Sequence, residues 1–177
     1  MYNFREYERQ NPELLSYLPW WKEATNREPH LVPLDASFEQ NLLFAIIATN
    51  STPEPVGAAA IMEARTKDNV GIIFQDKKVV ELGSNFVENS HRGNGLAKVF
   101  LLKRLELCLQ NDWFPVSVTT NLIVKSMFES IGAQVMSDPS YKELVHMLCM
   151  CQKGPKACNF CPYEDKAAWY FPRSRFP

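Results

Sequence analysis

A glycine-containing turn between a strand-like run and a helical run constrains this chain more than any other segment. The run before it, Val79–Val87, is apolar and rich in valine, and the run after it, Leu96–Leu109, has leucines at helical spacing. Gly93 and Gly95 allow a tight turn and close approach of a ligand. A helix start offers unpaired N–H groups and partial positive charge. The segment predicts a phosphate or pyrophosphate site; a turn that needs glycine only for its backbone angles is the alternative.

The spacing of these glycines excludes two common nucleotide-binding motifs. The phosphate loop of nucleotide triphosphatases needs Lys and then Ser or Thr after its last glycine, whereas Leu96 and Ala97 follow Gly95. The dinucleotide fingerprint needs a third small residue where Lys98 stands. What remains is R-x-x-G-x-A over Arg92-Gly93-Asn94-Gly95-Leu96-Ala97. This pattern resembles the coenzyme A pyrophosphate signature of the GNAT acetyltransferases.

A second motif follows at the spacing that this family shows. The β-branched run Pro115–Thr120 predicts a strand, and Asn121 stands at an N-cap position before the helical run LIVKSMFESIG. Gly132 ends that helix, as a glycine just past a helix commonly does. The resemblance to GNAT acetyltransferases extends over about residues 45–135.

The rest of the chain predicts an α/β (α+β) fold. Leu43–Thr49 and Val56–Ala64 are expected to form a hairpin, and the Gly and Ala run in its second strand leaves room for a bulky neighbour. Phe4–Asn26 is expected to be helical and broken near Pro12 and Pro19, with Asn11 capping a segment that begins at Pro12. Val70–Phe74 is a candidate extra strand and Leu144–Cys151 a closing strand. The sum is a GNAT-like mixed, mostly antiparallel sheet with helices on both faces.

Length and composition fit one domain over residues 1–177, which the resemblance implies is an acyl-CoA-dependent acetyltransferase-like domain. It would carry an N-terminal helical segment, 1–42, and a Cys-rich C-terminal extension, 149–177. Hydrophobic residues make up 46% of the chain, enough for a sizeable core. The net charge of −1 gives no basic field for nucleic acid, and no apolar run is long enough to span a membrane. A cytoplasmic location is expected by default.

The resemblance implies acetyl-CoA as the co-substrate and assigns roles to individual residues. Backbone N–H groups of the loop from Arg92 to Ala97 would bind the pyrophosphate, with help from the Arg92 and Asn94 side chains. Arg92 as a solvated charge and Asn94 as a plain turn residue are the alternatives. The Val87 backbone N–H would contact the thioester carbonyl as it becomes an oxyanion. Asn121 would bond the pantetheine arm, or act only as a helix cap.

The implied reaction, acyl transfer from the thioester to an amine, also needs groups that move protons. Glu81 is the acidic residue inside the Val79–Val87 run and is the candidate base; an ordinary exposed strand glutamate is the alternative, and Glu63 is a weaker candidate base. Period-two alternation predicts that Glu81 and Val87 share one face. Phe128 stands where many family members have a proton-donating tyrosine, so thiolate departure, a water or Tyr141 would replace it.

Four of the five cysteines cluster near the C-terminus, at Cys149, Cys151, Cys158 and Cys161. Four thiols in this short span could ligate one Zn²⁺, although the six-residue spacer between the pairs is short. We favour reduced thiols without metal, and keep structural zinc as the alternative. Cys108 is expected to be a buried apolar residue.

The acceptor is the least constrained part of the prediction. Aromatic segments around Trp20 and Trp169 could line an acceptor pocket, although packing onto the sheet is the favoured interpretation. Two functions stay open: an N-acetyltransferase acting on a small molecule, peptide or protein amine, and a non-catalytic acyl-CoA-binding or interaction protein on the same fold. An oligomer is compatible with the sequence.

Overall fold

The structure, a computed structural model, describes residues 1–28, 31, 34–66, 68–119, 121–148 and 167–172. The strands are β1 (Asn3–Glu8), β2 (Leu42–Thr49), β3 (Pro55–Glu63), β4 (Ile73–Phe74), β5 (Lys77–Val87), β6 (Phe114–Thr119), β7 (Gln134–Val135) and β8 (Ala167–Tyr170). The helices are α1 (Pro12–Asn26), α2 (Ala36–Asn41), α3 (Leu96–Gln110), α4 (Leu122–Ser130) and α5 (Lys142–Leu148).

The strands form one mixed sheet of eight strands in the order β1-β2-β3-β5-β6-β8-β7, with β4 paired to β5. The pairs β1–β2, β2–β3, β6–β8 and β7–β8 are antiparallel. The β5–β6 pair is parallel and aligns Val79 with Phe114 and Glu81 with Val116. The predicted mostly antiparallel α/β architecture is therefore confirmed.

The first compact unit comprises Met1–Met62 and Leu82–Leu107. Helices α1 and α2 pack on one face of β2 and β3, in a core that includes Trp21, Phe38, Ile47 and Ala58. Helix α3 packs on the opposite face. A Cβ built on Gly57 would lie 2.9 Å from the Phe100 ring, so the room predicted in this strand is filled by α3.

The second compact unit comprises Glu63–Glu81 and Cys108–Pro177. Its core joins β5 and β6 to α5 through Val79, Val116 and Leu144, which are fully buried. Around this core lie partly buried aromatics, including Phe74, Phe114, Tyr141 and Tyr170. Strand β8 pairs with both β6 and β7, so part of the C-terminal extension belongs to the sheet.

The N-terminal segment is not helical throughout, which corrects the prediction for Phe4–Asn26. Residues 3–8 form β1 and pair with β2. Phe4 and Tyr7 are three residues apart, a spacing that places two side chains together on a helix. In β1 the same spacing sends them to opposite faces: Phe4 contacts Phe100 of α3, and Tyr7 packs into the α1 core.

The predicted strand Leu144–Cys151 is also wrong over its described part, because residues 142–148 form α5. A short apolar run fits a buried helix as well as a strand. Leu144, Val145 and Leu148 all pack into the second core, which suits the helical spacing. The strand on that side of β6 is β8, whose Trp169 is buried.

The predicted helix ends agree with the structure. Asn11 accepts from the Glu13 N–H at 2.9 Å, and Pro12 occupies the first turn of α1. The break expected near Pro19 is wrong, because α1 continues through this residue. Asn121 accepts from the Ile123 N–H at 2.9 Å and caps α4. Gly132 follows α4 with φ of 80° and donates to the Glu129 carbonyl. Within the described residues, no helix is long and apolar enough to cross a membrane.

Candidate functional site

The candidate cofactor loop joins the end of β5 to the start of α3. A single 3₁₀ turn, Asn89–His91, follows Val87, and α3 begins at Leu96. Gly93 and Gly95 have φ of 81° and 77°, whereas Asn94 between them is not in this region. A Cβ built on either glycine meets no heavy atom within 4 Å. Backbone angle therefore explains the two glycines, and the space beside them is open to a ligand.

The Arg92 side chain is tied to its own unit by two hydrogen bonds. Its Nε donates to the Val87 carbonyl at 2.9 Å, and its Nη2 donates to Glu28 at 2.5 Å. The guanidinium therefore links three segments: the end of α1, the end of β5 and the loop. Its side chain stays about half exposed, so it retains a solvent-facing surface.

The Asn94 side chain makes a turn contact, donating from Nδ2 to the His91 carbonyl at 3.1 Å. His91 in turn contacts the Tyr2 hydroxyl through Nδ1 at 3.1 Å. These bonds fix the first half of the loop. In this arrangement Asn94 offers its main-chain N–H, rather than its amide group, to a ligand.

The Val87 N–H points away from β3. The next N–H along the chain, that of Glu88, donates to the Val56 carbonyl of β3 at 2.9 Å. Successive N–H groups of an extended strand point to opposite sides, so the Val87 N–H lies on the other side of β5.

Glu88, which follows Val87 directly, lies in a partly buried polar cluster with the end of α1. Its Oε1 accepts from the Trp20 indole N–H at 3.3 Å and lies 3.6 Å from Arg27 Nη2. Trp20 also packs edge-on against Phe86. Trp20 is thus fixed by Glu88 and by Phe86. Trp21, Trp169 and Phe171 are buried, which agrees with the favoured interpretation that these aromatic segments pack onto the sheet.

The prediction that Glu81 and Val87 share one face of β5 is wrong. Ser84 has φ of 48°, which interrupts the extended backbone in the manner of a β-bulge. A Cβ on Gly83 would meet the Met62 side chain, and Phe86 contacts Trp20, so both face the α1 core. In a regular strand, residues three positions apart lie on opposite faces, so Gly83 and Phe86 can share a face only because the bulge lies between them. Glu81 and Gly83 precede it, and Val87 follows it on the opposite face.

The two candidate bases have different surroundings. Glu81 is half-buried within β5 and aligned with Val116. Glu63 is held by Arg65 in a short ion pair and lies 3.4 Å from Lys78 Nζ. Burial alone would raise the pKa of Glu63, but the bond from Arg65 and the charge of Lys78 outweigh it and lower the pKa. A carboxylate paired in this way is a poor proton acceptor.

The position of the expected proton donor is apolar and buried. Phe128 is 2% exposed and packs against Trp169 and Phe171, with ring centroids 5.8 and 5.2 Å away. Tyr141 lies in the aromatic cluster of the second unit, against Phe74 and Tyr170. Burial raises the pKa of Tyr141 to about 12, and Tyr170 adds to the shift. That pKa makes Tyr141 a weak acid toward a thiolate.

Asn121 caps α4 through its side-chain oxygen, which accepts two hydrogen bonds. Its Oδ1 accepts from the N–H groups of Ile123 and Val124, and its own N–H donates to the Thr119 hydroxyl. Its amide nitrogen is the part of the side chain that these bonds leave for a ligand. Leu122 and Ile123 beside it are 74% and 81% exposed.

The candidate zinc ligands Cys149, Cys151, Cys158 and Cys161 lie outside the described residues. Among the residues that are described, no group of three or more His, Cys, Asp or Glu side chains could hold a metal ion. Cys108 is buried, as predicted.

Arg104 is the residue near the loop that sequence reasoning missed. It lies on α3, is 2% exposed and bonds main-chain carbonyls of β3 and β5. The signal was present, because Arg104 is four residues after Phe100 and four before Cys108, both on the buried stripe of the helix. Glu28, the partner of Arg92, carried no sequence signal.

Sequence comparisons identify no relative. No protein-family model matches the chain, and no curated protein has a significantly similar sequence.

Solved structures, in contrast, match closely in fold. A Mycobacterium tuberculosis protein in complex with CoA and NLQ has a TM-score of 0.62 at 11% identity, covering 96% of this chain and 98% of its own. N-acetylglutamate synthase from Neisseria gonorrhoeae, with coenzyme A and N-acetyl-glutamate, has a TM-score of 0.59 at 10% identity, over 95% of this chain and 34% of its own. The GNAT family N-acetyltransferase YhbS from Escherichia coli, in complex with CoA, has a TM-score of 0.55 at 15% identity, over 76% and 69%. The chain has the fold of the GNAT N-acetyltransferases.

Proposed function

We propose that this chain transfers an acetyl or other acyl group from a coenzyme A thioester to an amine. The observation that carries the proposal is the combination, in the first unit, of an open glycine loop at the start of α3 with the Val87 N–H directed away from β3. Similar structures that contain CoA support the identity of the cofactor.

In this proposal the loop binds the cofactor through its backbone. N–H groups between Arg92 and Ala97, at the positive end of α3, bond the pyrophosphate oxygens. Arg92 adds a positive charge from a side chain already fixed by Val87 and Glu28. Asn121 in the second unit bonds the pantetheine arm through its amide nitrogen.

The chemistry then needs a donor for the oxyanion and an acceptor for the amine proton. The Val87 N–H bonds the thioester oxygen, which gains negative charge when the amine attacks the carbonyl carbon. Glu81 takes a proton from the ammonium group of the acceptor, directly or through water. The nitrogen of the tetrahedral intermediate loses its second proton to water, and the intermediate then collapses to an amide and releases the CoA sulfur as thiolate, since Phe128 has no proton to give. A thiol pKa near 8.5 makes thiolate a tolerable leaving group.

The buried Phe128 also supports a second candidate function. A protein that binds acyl-CoA without turning it over needs no proton donor at this position, and the Phe128 ring is packed as an ordinary core residue. In that case the loop would bind the cofactor and no amine would be acylated.

The test is release of free thiol from acetyl-CoA against a panel of amines, beside calorimetric titration of CoA. The panel spans glutamate and other amino acids, peptides with free N-termini and polyamines; glutamate is included because the Neisseria structure contains N-acetyl-glutamate. Amine-dependent thiol release is the expected result. CoA binding without release from any amine would favour the second function, and absence of binding would contradict both.

Gly95→Ala is the variant that ties binding to the loop. A side chain at φ of 77° strains the backbone, at a cost of about 1–2 kcal/mol that should weaken CoA binding roughly tenfold. Gly132→Ala is the matched control, because Gly132 has φ of 80° but ends α4. Equal loss of affinity in both variants would show that strain, rather than the loop, is responsible.

A further inference from the structure

Arg104 carries a buried positive charge in the middle of α3. The residue is 2% exposed, and its guanidinium bonds main-chain carbonyl oxygens. Nη1 donates to the Ala60 and Gly83 carbonyls at 3.2 and 3.1 Å, and Nε donates to the Phe100 carbonyl at 3.3 Å. Removing a charge from water is costly unless such bonds replace its hydration, so an apolar residue would be the cheaper choice for packing alone.

The two carbonyls that accept from Arg104 Nη1 lie on two adjacent strands of the first unit, and one of them is next to the bulge. Ala60 belongs to β3, and Gly83 directly precedes Ser84 in β5. Ser84 has φ of 48°, a region that non-glycine residues enter only at a cost. Such a conformation persists where the surroundings hold it, and the bond from Arg104 to the Gly83 carbonyl holds the peptide unit that leads into it.

The bulge sets the direction of the last residues of β5. It turns Phe86 toward the α1 core, the side to which Gly83 also points. A regular strand would send Phe86 to the opposite face and would reverse the direction of the Val87 N–H. Arg104 lies on the helix that begins at the candidate cofactor loop, so one side chain joins that helix to the residue of β5 that directly precedes the bulge.

We propose that Arg104 is a positioning residue that fixes the Ser84 bulge and thereby aims the Val87 N–H at the thioester carbonyl. The inference rests on the proposed acyl transfer. Arg104 acts through the backbone of β5 rather than on the substrate directly, because it is 2% exposed and its guanidinium donates to the Gly83 carbonyl.

Arg104→Met tests the inference, because Met keeps an unbranched apolar stem and removes all the donors. We expect kcat to fall about tenfold or more. The KM for acetyl-CoA and the calorimetric Kd for CoA should stay within about twofold of the wild-type values. Arg104→Lys, which keeps a charge and one donor group, should give an intermediate kcat. Glu106→Gln, at an exposed position of the same helix, is the control and should leave kcat unchanged.

Variants at Ser84 test the role of the bulge while Arg104 stays unchanged. Ser84→Gly accepts the positive φ and should retain turnover, whereas Ser84→Val favours extended backbone and should lower kcat as Arg104→Met does. If Arg104→Met does not fold, the Arg104→Lys and Ser84 variants decide. Unchanged kcat in both Arg104→Lys and Ser84→Val would overturn the inference.

A readout independent of turnover separates this inference from the proposed function. The amide proton resonance of Val87, recorded without cofactor, should shift in Arg104→Lys and Ser84→Val and stay in place in Glu106→Gln. If the unchanged protein acylates no amine, the proposed function fails, and this resonance still decides whether Arg104 sets the direction of the Val87 N–H. A Val87 resonance that does not move in either variant contradicts the inference.

Discussion

Two glutamates near β5 are chemically alike and differ in their electrostatic surroundings. Glu63 is held between Arg65 and Lys78, which together lower its pKa despite its burial. Glu81 is half-buried inside the strand. A general base must accept a proton near the working pH, so the lowered pKa of Glu63 argues against it as the base, and Glu81 is the base that we propose.

Glu81→Gln is expected to lower kcat about a hundredfold near neutral pH, because the acceptor must then lose its proton to solvent. The deficit should shrink as the pH rises toward the pKa of the amine, since the free amine needs no base. Thiol release measured across this pH range, with the Kd for CoA beside it, checks both expectations.

Glu63→Gln is the matched control for Glu81→Gln. It removes an ion pair and should reduce stability while leaving the pH profile of kcat unchanged. A Glu81→Gln variant with the same pH profile as the unchanged protein would show that Glu81 is not the base.

Sequence predicted a residue's role correctly where that role depends on local backbone conformation. Positive φ at Gly93 and Gly95 and the cap at Asn121 follow from local chemistry, and the structure has each. The positive φ of Ser84 does not follow, because serine has no preference for it and the neighbouring Gly83 carbonyl accepts from Arg104, about twenty residues later in the chain. Period-two alternation was therefore the wrong rule for Glu81 and Val87.

At the scale of elements, α4 and α1 both begin with an asparagine cap, and this offers a matched pair. Asn11 accepts from the Glu13 N–H, and Asn121 accepts from the Ile123 N–H, each at 2.9 Å. Asn→Ala at a cap costs about 1 kcal/mol, which should lower the melting temperature by about 2–4 °C in a chain of this size.

Only Asn121→Ala should also weaken CoA binding, because only Asn121 is proposed to bond the pantetheine arm. Calorimetry on both variants at a temperature where each is folded separates the two effects. If Asn11→Ala and Asn121→Ala weaken CoA binding equally, Asn121 is a helix cap and nothing more.

Elements with strong local signals were predicted correctly, and short apolar runs were not. The β2–β3 hairpin and helices α3 and α4 were identified within one or two residues of their ends. β1 and α5 were assigned the wrong type, because Phe4, Tyr7, Leu144 and Val145 fit both periods until their packing partners are known. β8 was missed, since its four residues are too few to show a clear alternation of apolar and polar side chains.

At the scale of the whole molecule, the fold was inferred from two ordered motifs rather than from overall similarity. The Arg92–Ala97 loop and the Asn121-led helix identified an architecture that similar structures share at 10–16% identity. At that identity few side chains are common, and what this chain shares with the similar structures is the fold. The acceptor depends on the side chains that differ, so sequence motifs gave no prediction for it.

Cofactor binding should stabilise the whole chain by an amount that follows from its affinity alone. At a CoA concentration of 100 times Kd, the free energy of unfolding should rise by about 2.7 kcal/mol, which corresponds to an increase in melting temperature of roughly 5–10 °C. Thermal unfolding followed with increasing CoA measures this shift.

ADP, which carries the pyrophosphate, should give a larger shift than pantetheine at equal concentration if the loop supplies most of the binding energy. The Gly95→Ala variant should need about ten times more CoA for the same shift. A larger shift with pantetheine than with ADP would place the main anchor away from the loop and contradict the role given to Arg92–Ala97.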